Sequence, residues 1–308
     1  MSEFRTTGTA PTDIHYEDVG QGRPVVFIHG WPLSLRMWES QVNALTAAGH
    51  RCIAYDRRGF GDSGRPTGGF DYDTLAADLD DLMVHLDLRD ATLVGFSMGG
   101  GEVARFLGSF GSARVAKAVL LGSVTPFMLE STVSADGLMH ENIFETMIRD
   151  VRADRIGFLE RFFVDFYNAD LKGRSAGDDV IAYHKSIAWA ASPLATQECV
   201  RSFGNTDFRA DLSVIDVPTL IVHGDSDRIV PLAASGQLSH GMIPKSRLEV
   251  LVGAPHGFPA THASALNALL LEFLAQDREP RQDHRREGVL RKSPKRVMPT
   301  ARAQRHHP

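Results

Sequence analysis

The chain has 308 residues, 43% hydrophobic and 23% charged, with a formal net charge of −5. That size suits one α/β unit carrying an insertion, and the apolar fraction excludes a globally disordered chain. The acid excess excludes a nucleic-acid partner for the core, and no run approaches the roughly 18 apolar residues of a membrane span.

Two cysteines, Cys52 and Cys199, are too few for the disulfide framework of a secreted domain and read as structural thiols. The polar, threonine-rich start at residues 1–11 lacks the charged-then-apolar pattern of a secretory signal, so a cytoplasmic location is expected.

Taken in chain order, the elements alternate. Val25-Val26-Phe27-Ile28 is a continuous apolar run, the mark of a strand buried on both faces. A helix is predicted over 35–48, a strand over 52–55, and a helix over 73–86 with Leu75, Leu79, Leu82 and Leu86 three and four residues apart. A strand at 92–94, a helix at 97–110 and a strand at 118–121 follow. Two later strands are predicted at 219–222 and 248–252, and a closing helix at 261–275. Repeated strand–helix–strand crossovers imply an α/β fold, a mostly parallel open sheet with helices on both faces.

The rhythm breaks over 125–209. Helical patterns at 139–149, 156–166, 178–191 and 193–203 lie there with little strand signal. This stretch is expected to be a helical cap over the sheet edge where open α/β sheets bind ligands. The core is then 1–124 with 210–275. The remainder, 276–308, is expected to be a disordered basic tail; from Asp277 it carries 10 Lys/Arg against 4 Asp/Glu.

Gly95-Phe96-Ser97-Met98-Gly99 fits G-x-S-x-G, directly after a predicted strand and opening a predicted helix. So tight a turn strains the serine backbone and leaves no room for side chains at Gly95 and Gly99. It lifts the Ser97 hydroxyl above the sheet edge and aims the unpaired N–H groups of a helix N-terminus at it.

A serine hydroxyl needs a base to become a nucleophile. Two later loops offer the partners at the ends of strands on the same edge. His223-Gly224-Asp225-Ser226-Asp227-Arg228 supplies an acid, and Gly253-Ala254-Pro255-His256-Gly257-Phe258 supplies His256. Ser, Asp and His in that chain order match the order expected of this motif. Asp227 is the preferred acid, with Asp225 read as a turn residue bonding its own backbone. His223 reads as a strand-end structural residue. The tail histidines lack Cys or carboxylate partners at metal-ligand spacing, and neither metal nor cofactor is expected.

Acyl transfer builds charge on a carbonyl oxygen, and two backbone N–H groups should meet it. Met98, after the serine, is one. The loop His29-Gly30-Trp31-Pro32 is expected to supply the other from Trp31. Trp31, Pro32, Phe127, Phe162, Trp189, Ile229 and Phe258 are the candidate walls of an apolar substrate pocket, with Met128, Phe163 and Phe166 as further candidates.

With these residues in hand, residues 14–274 resemble the α/β-hydrolase superfamily, and within it the cofactor-free (non-haem) chloroperoxidases, aryl esterases and perhydrolases. The matching stretches are Phe27 to Leu33, Tyr55 to Ser63, Gly95 to Arg105, with Met98 and three glycines after the serine, and His223 to Pro231. The resemblance implies Asp227 as the acid and a serine hydrolase acting on small or aryl esters. It also implies peracid formation from a carboxylic acid and hydrogen peroxide, an activity associated with a proline at the position of Pro32. Members are often oligomers, which allows a homo-oligomer here. The same triad also serves amide, lactone or C–C bond hydrolysis. A small-molecule receptor that turns over slowly is the reading from another class, and sustained turnover would argue against it.

Overall fold

A computed structural model describes residues 2–8, 10–128 and 143–276. Eight strands form one sheet: β1 (Ser2–Arg5), β2 (Asp13–Val19), β3 (Pro24–Ile28), β4 (Arg51–Tyr55), β5 (Ala91–Phe96), β6 (Val115–Leu121), β7 (Thr219–Gly224) and β8 (Ser246–Leu251). Their order across the sheet is β1-β2-β4-β3-β5-β6-β7-β8. The pairs β1/β2 and β2/β4 are antiparallel, and every other neighbouring pair is parallel. This is the mostly parallel sheet expected from the apolar runs.

All six residues of β5 are buried, as are all six of β7, so both faces of the sheet centre are covered. The cover comes from α1 (Glu39–Ala47), α2 (Tyr72–His85) and α3 (Met98–Phe110), with α11 (Ala263–Ala275) packed on α1 and α2 on α3. The helix starts have local causes. Asp71 accepts the Thr74 N–H at 2.9 Å and caps α2.

Between β6 and β7 the described residues form α4 (Ile143–Ala153), α5 (Arg155–Tyr167), α6 (Asp178–Ala190), α7 (Pro193–Asn205) and the short α8 (Arg209–Ser213). Asp154 caps α5 through the Gly157 N–H at 2.9 Å. Ser192, followed by a proline, caps α7. The start of the helix expected over 139–149, and the basic tail from Asp277, lie outside the described residues.

Several elements differ from expectation. Strands β1 and β2 carry too many polar residues to signal themselves. They exist because β2 pairs with β4, setting Tyr16 beside Tyr55. The helix expected over 35–48 begins as a 3-10 turn, Leu35–Trp38. The closing helix is broken at His262 into α10 (Phe258–Thr261) and α11. A short helix, α9 (Gly236–Met242), was not signalled by the apolar pattern. No helix among the described residues is long and apolar enough to cross a membrane.

Candidate active site

Strand β5 ends at Phe96 and α3 begins at Met98, leaving Ser97 alone in the turn with φ +52° and ψ −116°. A side chain in this left-handed region carries strain of order 1–3 kcal/mol. The surroundings over-determine it: the Ser97 N–H donates to the Leu121 carbonyl at 2.8 Å, and its own carbonyl accepts from the Gly100 N–H at 3.0 Å. A Cβ on Gly95 would lie 2.3 Å from the Gly99 carbonyl oxygen, and one on Gly99 would lie 2.3 Å from that of Ile28. Strand and helix therefore approach each other more closely than any side chain permits.

Ser97 Oγ lies 3.0 Å from His256 Nε2, and His256 Nδ1 lies 2.6 Å from Asp227 Oδ2. Burial alone would raise the Asp227 carboxyl. The interactions with His256 and His223 outweigh that and hold it well below the usual carboxylate range. An ionised carboxylate only accepts, so Nδ1 carries the ring proton and Nε2 is left to accept from the serine hydroxyl. The other oxygen of Asp227 accepts the backbone N–H groups of Ile229 and Val230 at 2.9 and 2.8 Å, which fixes the carboxylate plane. Asp225 instead accepts the Gly253 N–H at 2.7 Å and ties the acid loop to the histidine loop.

The inserted helices brace these loops. Phe166, at the end of α5, stands edge-on to the His256 ring at 5.0 Å, and its carbonyl accepts the Gly257 N–H at 2.9 Å. Asn168, in the left-handed conformation that ends α5, donates to the Ser226 carbonyl at 3.0 Å. His223 does more than end its strand: its Nε2 lies 2.8 Å from the Val230 carbonyl and 3.5 Å from Asp227 Oδ2. The four-residue spacing from His223 to Asp227 was its one signal in the sequence.

Met98 is the first residue of α3, so its N–H has no acceptor within the helix. The loop bearing Trp31 presses on the serine turn, since a Cβ on Gly30 would sit 2.6 Å from the Phe96 ring and 3.1 Å from Ser97 Cβ. The Trp31 indole is anchored to the Thr196 carbonyl on α7 at 3.0 Å, and its ring meets Phe158, Phe162 and Phe203 edge-on. Met98 and Trp31 thus flank Ser97 from the helix side and the loop side.

A cavity of about 490 Å³ opens on Ser97. Of the expected walls, Trp31, Phe162 and Ile229 line it, as does Met128. Phe158 and Phe203 were not anticipated. Pro32, Phe127, Trp189 and Phe258 do not line it. Trp189 faces outward on α6 and is 40% exposed, and Phe127 lies under the Arg209 guanidinium. Phe258 is buried against Phe96, and Pro32 is buried in the turn closed by the Leu33 N–H to the Gly30 carbonyl. Phe163 and Phe166 pack together behind the wall. Arg228, at the rim, is neutralised by Asp170 at 2.8 Å and Asp165 at 3.5 Å.

Among the described residues, His15, Asp56 and Asp62 bring three potential metal-ligand atoms within 4.8 Å of one another. Both Asp56 oxygens already accept backbone N–H groups, from Leu35 and Asp62, so the cluster is built as a loop brace.

A strained serine between strand and helix, a histidine on its hydroxyl and a buried acid on that histidine form a proton path above a parallel sheet. Residues 23–263 match the family model described as the alpha/beta hydrolase fold. The chain belongs to the α/β-hydrolase family. Within this family it is 44% identical to the non-heme chloroperoxidase CPO-A1 of Kitasatospora aureofaciens, over 85% of this chain and 96% of that one. It is 35% identical to the bifunctional esterase/perhydrolase DCH of Acinetobacter calcoaceticus, again over 85% of this chain and 96% of the other. The crystal structure of bromoperoxidase from Bacillus anthracis superposes with a TM-score of 0.83 at 46% identity, covering 89% of this chain and all of that one. The protein is therefore an α/β-hydrolase enzyme similar to non-heme chloroperoxidases and to an esterase/perhydrolase.

Proposed function

We propose that this α/β-hydrolase is a serine hydrolase that forms an acyl-enzyme on Ser97 from small or aryl carboxylic esters, and that hydrogen peroxide can replace water as acyl acceptor. The observation that carries the reading is the continuous path from Ser97 Oγ through His256 to Asp227, opening on a cavity walled mainly by apolar side chains.

His256 takes the Ser97 proton as Oγ attacks the carbonyl carbon. The N–H groups of Met98 and Trp31 meet the oxyanion, each worth about 10²–10³ in rate. His256 returns its proton to the leaving alcohol. Water, deprotonated by His256, then releases the carboxylic acid. Peroxide in its place releases a peracid, which transfers its terminal oxygen to bromide to give hypobromous acid and the carboxylate. The names of the peroxidase and perhydrolase relatives support this second acceptor.

The hydrocarbon walls favour small neutral acyl groups over charged ones, because burying an unpaired charge costs several kcal/mol. We also place the reaction in the cytoplasm, in keeping with two buried free thiols, Cys52 and Cys199.

The test is release of p-nitrophenol from p-nitrophenyl acetate by the wild type and by Ser97→Ala. Many turnovers, lost by about 10⁵–10⁶ in kcat in Ser97→Ala, are expected for a serine nucleophile. Equal rates would remove Ser97 from the mechanism. A single burst without turnover would favour a slow-turnover receptor. Bromination of an indicator with acetate, peroxide and bromide then tests the second acceptor.

A further inference from the structure

The cavity that holds Ser97 also holds two thioethers, Met128 and Met147. Both side chains are partly buried and pack against the core, Met147 on α4 and Met128 after β6. The other described lining groups are hydrocarbon, hydroxyl, carboxylate and guanidinium, none of which readily takes an oxygen atom, together with the Trp31 indole, which is only 3% exposed. Other sulfurs of the core are sealed: Met98, Cys52 and Cys199 are fully buried.

We propose that Met128 and Met147 are sites of self-oxidation, sulfoxidised by peracid formed at Ser97 before it leaves the cavity, so that peracid production limits itself. The inference rests on the peracid reading of the active site. The sulfur lone pair attacks the terminal peroxy oxygen, an S–O bond forms and the O–O bond breaks. The peroxy proton ends on the carboxyl group. The thioether loses two electrons to become a sulfoxide, and the peracid gains them to become the carboxylic acid.

Confinement decides where this happens. One molecule in 490 Å³ corresponds to about 3 M, far above any concentration that released peracid reaches in bulk. A sulfoxide places a strong dipole in an apolar wall, which weakens acyl binding. KM for a neutral ester should therefore rise as the two methionines oxidise.

The experiment incubates the full chain with acetate and hydrogen peroxide, follows peracid by bromide oxidation, and maps methionine sulfoxide by peptide mass spectrometry. Ser97→Ala at the same peroxide concentration reports direct peroxide damage. Met242, outside the cavity, reports attack by released peracid. Sulfoxide at Met128 and Met147 at least fivefold above Ser97→Ala, and above Met242, is expected. The double variant Met128→Leu/Met147→Leu keeps apolar bulk. It should complete at least threefold more turnovers before losing half of its own initial rate.

If peracid accumulates while the two methionines oxidise no faster than in Ser97→Ala, or no faster than Met242, self-oxidation is overturned and peracid formation stands. An unchanged lifetime in the double variant overturns the self-limiting effect. If no peracid forms, the inference falls together with the reading beneath it.

Discussion

Arg57 donates from Nη2 to the carbonyl of His29 at 2.8 Å, and the His29 ring accepts the Arg57 backbone N–H on Nε2 at 3.0 Å. That leaves the proton on Nδ1, which donates to the Gly30 carbonyl at 2.9 Å. Burial, joined by the Arg57 charge and opposed by the Gly30 bond, keeps the His29 pKa well below its usual value, so the ring stays neutral. Arg57 is in turn held by Glu102 on α3 at 2.8 Å, with both side chains buried and the Tyr55 hydroxyl donating to the same carboxylate. The loop that carries Trp31 is thus clamped to the helix that carries Met98.

Removing the carboxylate should be expensive. Glu102→Ala leaves a buried guanidinium unpaired and is expected to lower stability by about 3–5 kcal/mol. Glu102→Gln keeps an acceptor for Arg57 and should lose distinctly less. Urea unfolding of the two variants beside the wild type measures this, and equal losses would mean that the pairing is not what matters.

The two aspartates of the acid loop should separate cleanly. Asp227→Asn cannot hold the Nδ1–H tautomer of His256 as a carboxylate does, and kcat on p-nitrophenyl acetate is expected to fall about 10⁴-fold. Asp225→Asn still offers an amide oxygen to the Gly253 N–H, so its loss should stay below about tenfold. The reverse ranking in steady-state kinetics would assign the acid to Asp225.

Gly95→Ala tests the strained turn. Its Cβ would meet the Gly99 carbonyl oxygen at 2.3 Å and the Gly100 nitrogen at 2.7 Å, and backbone cannot swing aside as a side chain can. We expect a loss of about 1–3 kcal/mol from overpacking. A displacement of Ser97 by about 1 Å should cost a further 10²-fold in kcat in the molecules that remain folded. Thermal melting and active-site titration together separate the two effects.

His184 should give the fold an acid-side weakness. It is buried on α6 with its Nδ1 on the Tyr167 hydroxyl, and burial pulls its pKa down to about 4. In the unfolded chain a histidine titrates near about 6.5. As pH falls from 6.5 toward 4, the unfolded state takes up a proton that the folded state refuses, and stability drops by up to about 3 kcal/mol. This penalty is absent above pH 6.5. His184→Gln should flatten the pH dependence of the urea midpoint between pH 4 and 7. An identical slope in the variant would show that some other group carries it.

What the chain alone determined is local or periodic. Buried parallel strands are apolar throughout, so Val25 to Ile28 and the run around Leu220 announced themselves. The glycines around Ser97 marked a turn that no other residues could make, and Asp227 and His256 follow strands that must end on the same edge. What only the tertiary structure decided depends on which surfaces meet. Strands β1 and β2 look polar because most of their residues stay exposed, and the pairing of β2 with β4 creates them. The spacing of His223 from Asp227 was visible, but its contact with the acid depends on a loop folding back. The pocket was the least legible part. An amphipathic helix declares which face is buried but not what it is buried against. Phe158 on α5 and Phe203 on α7 therefore reach the cavity, while Trp189 on α6, equally aromatic, is turned outward. Helix packing sets that rotation, and no single helix encodes it.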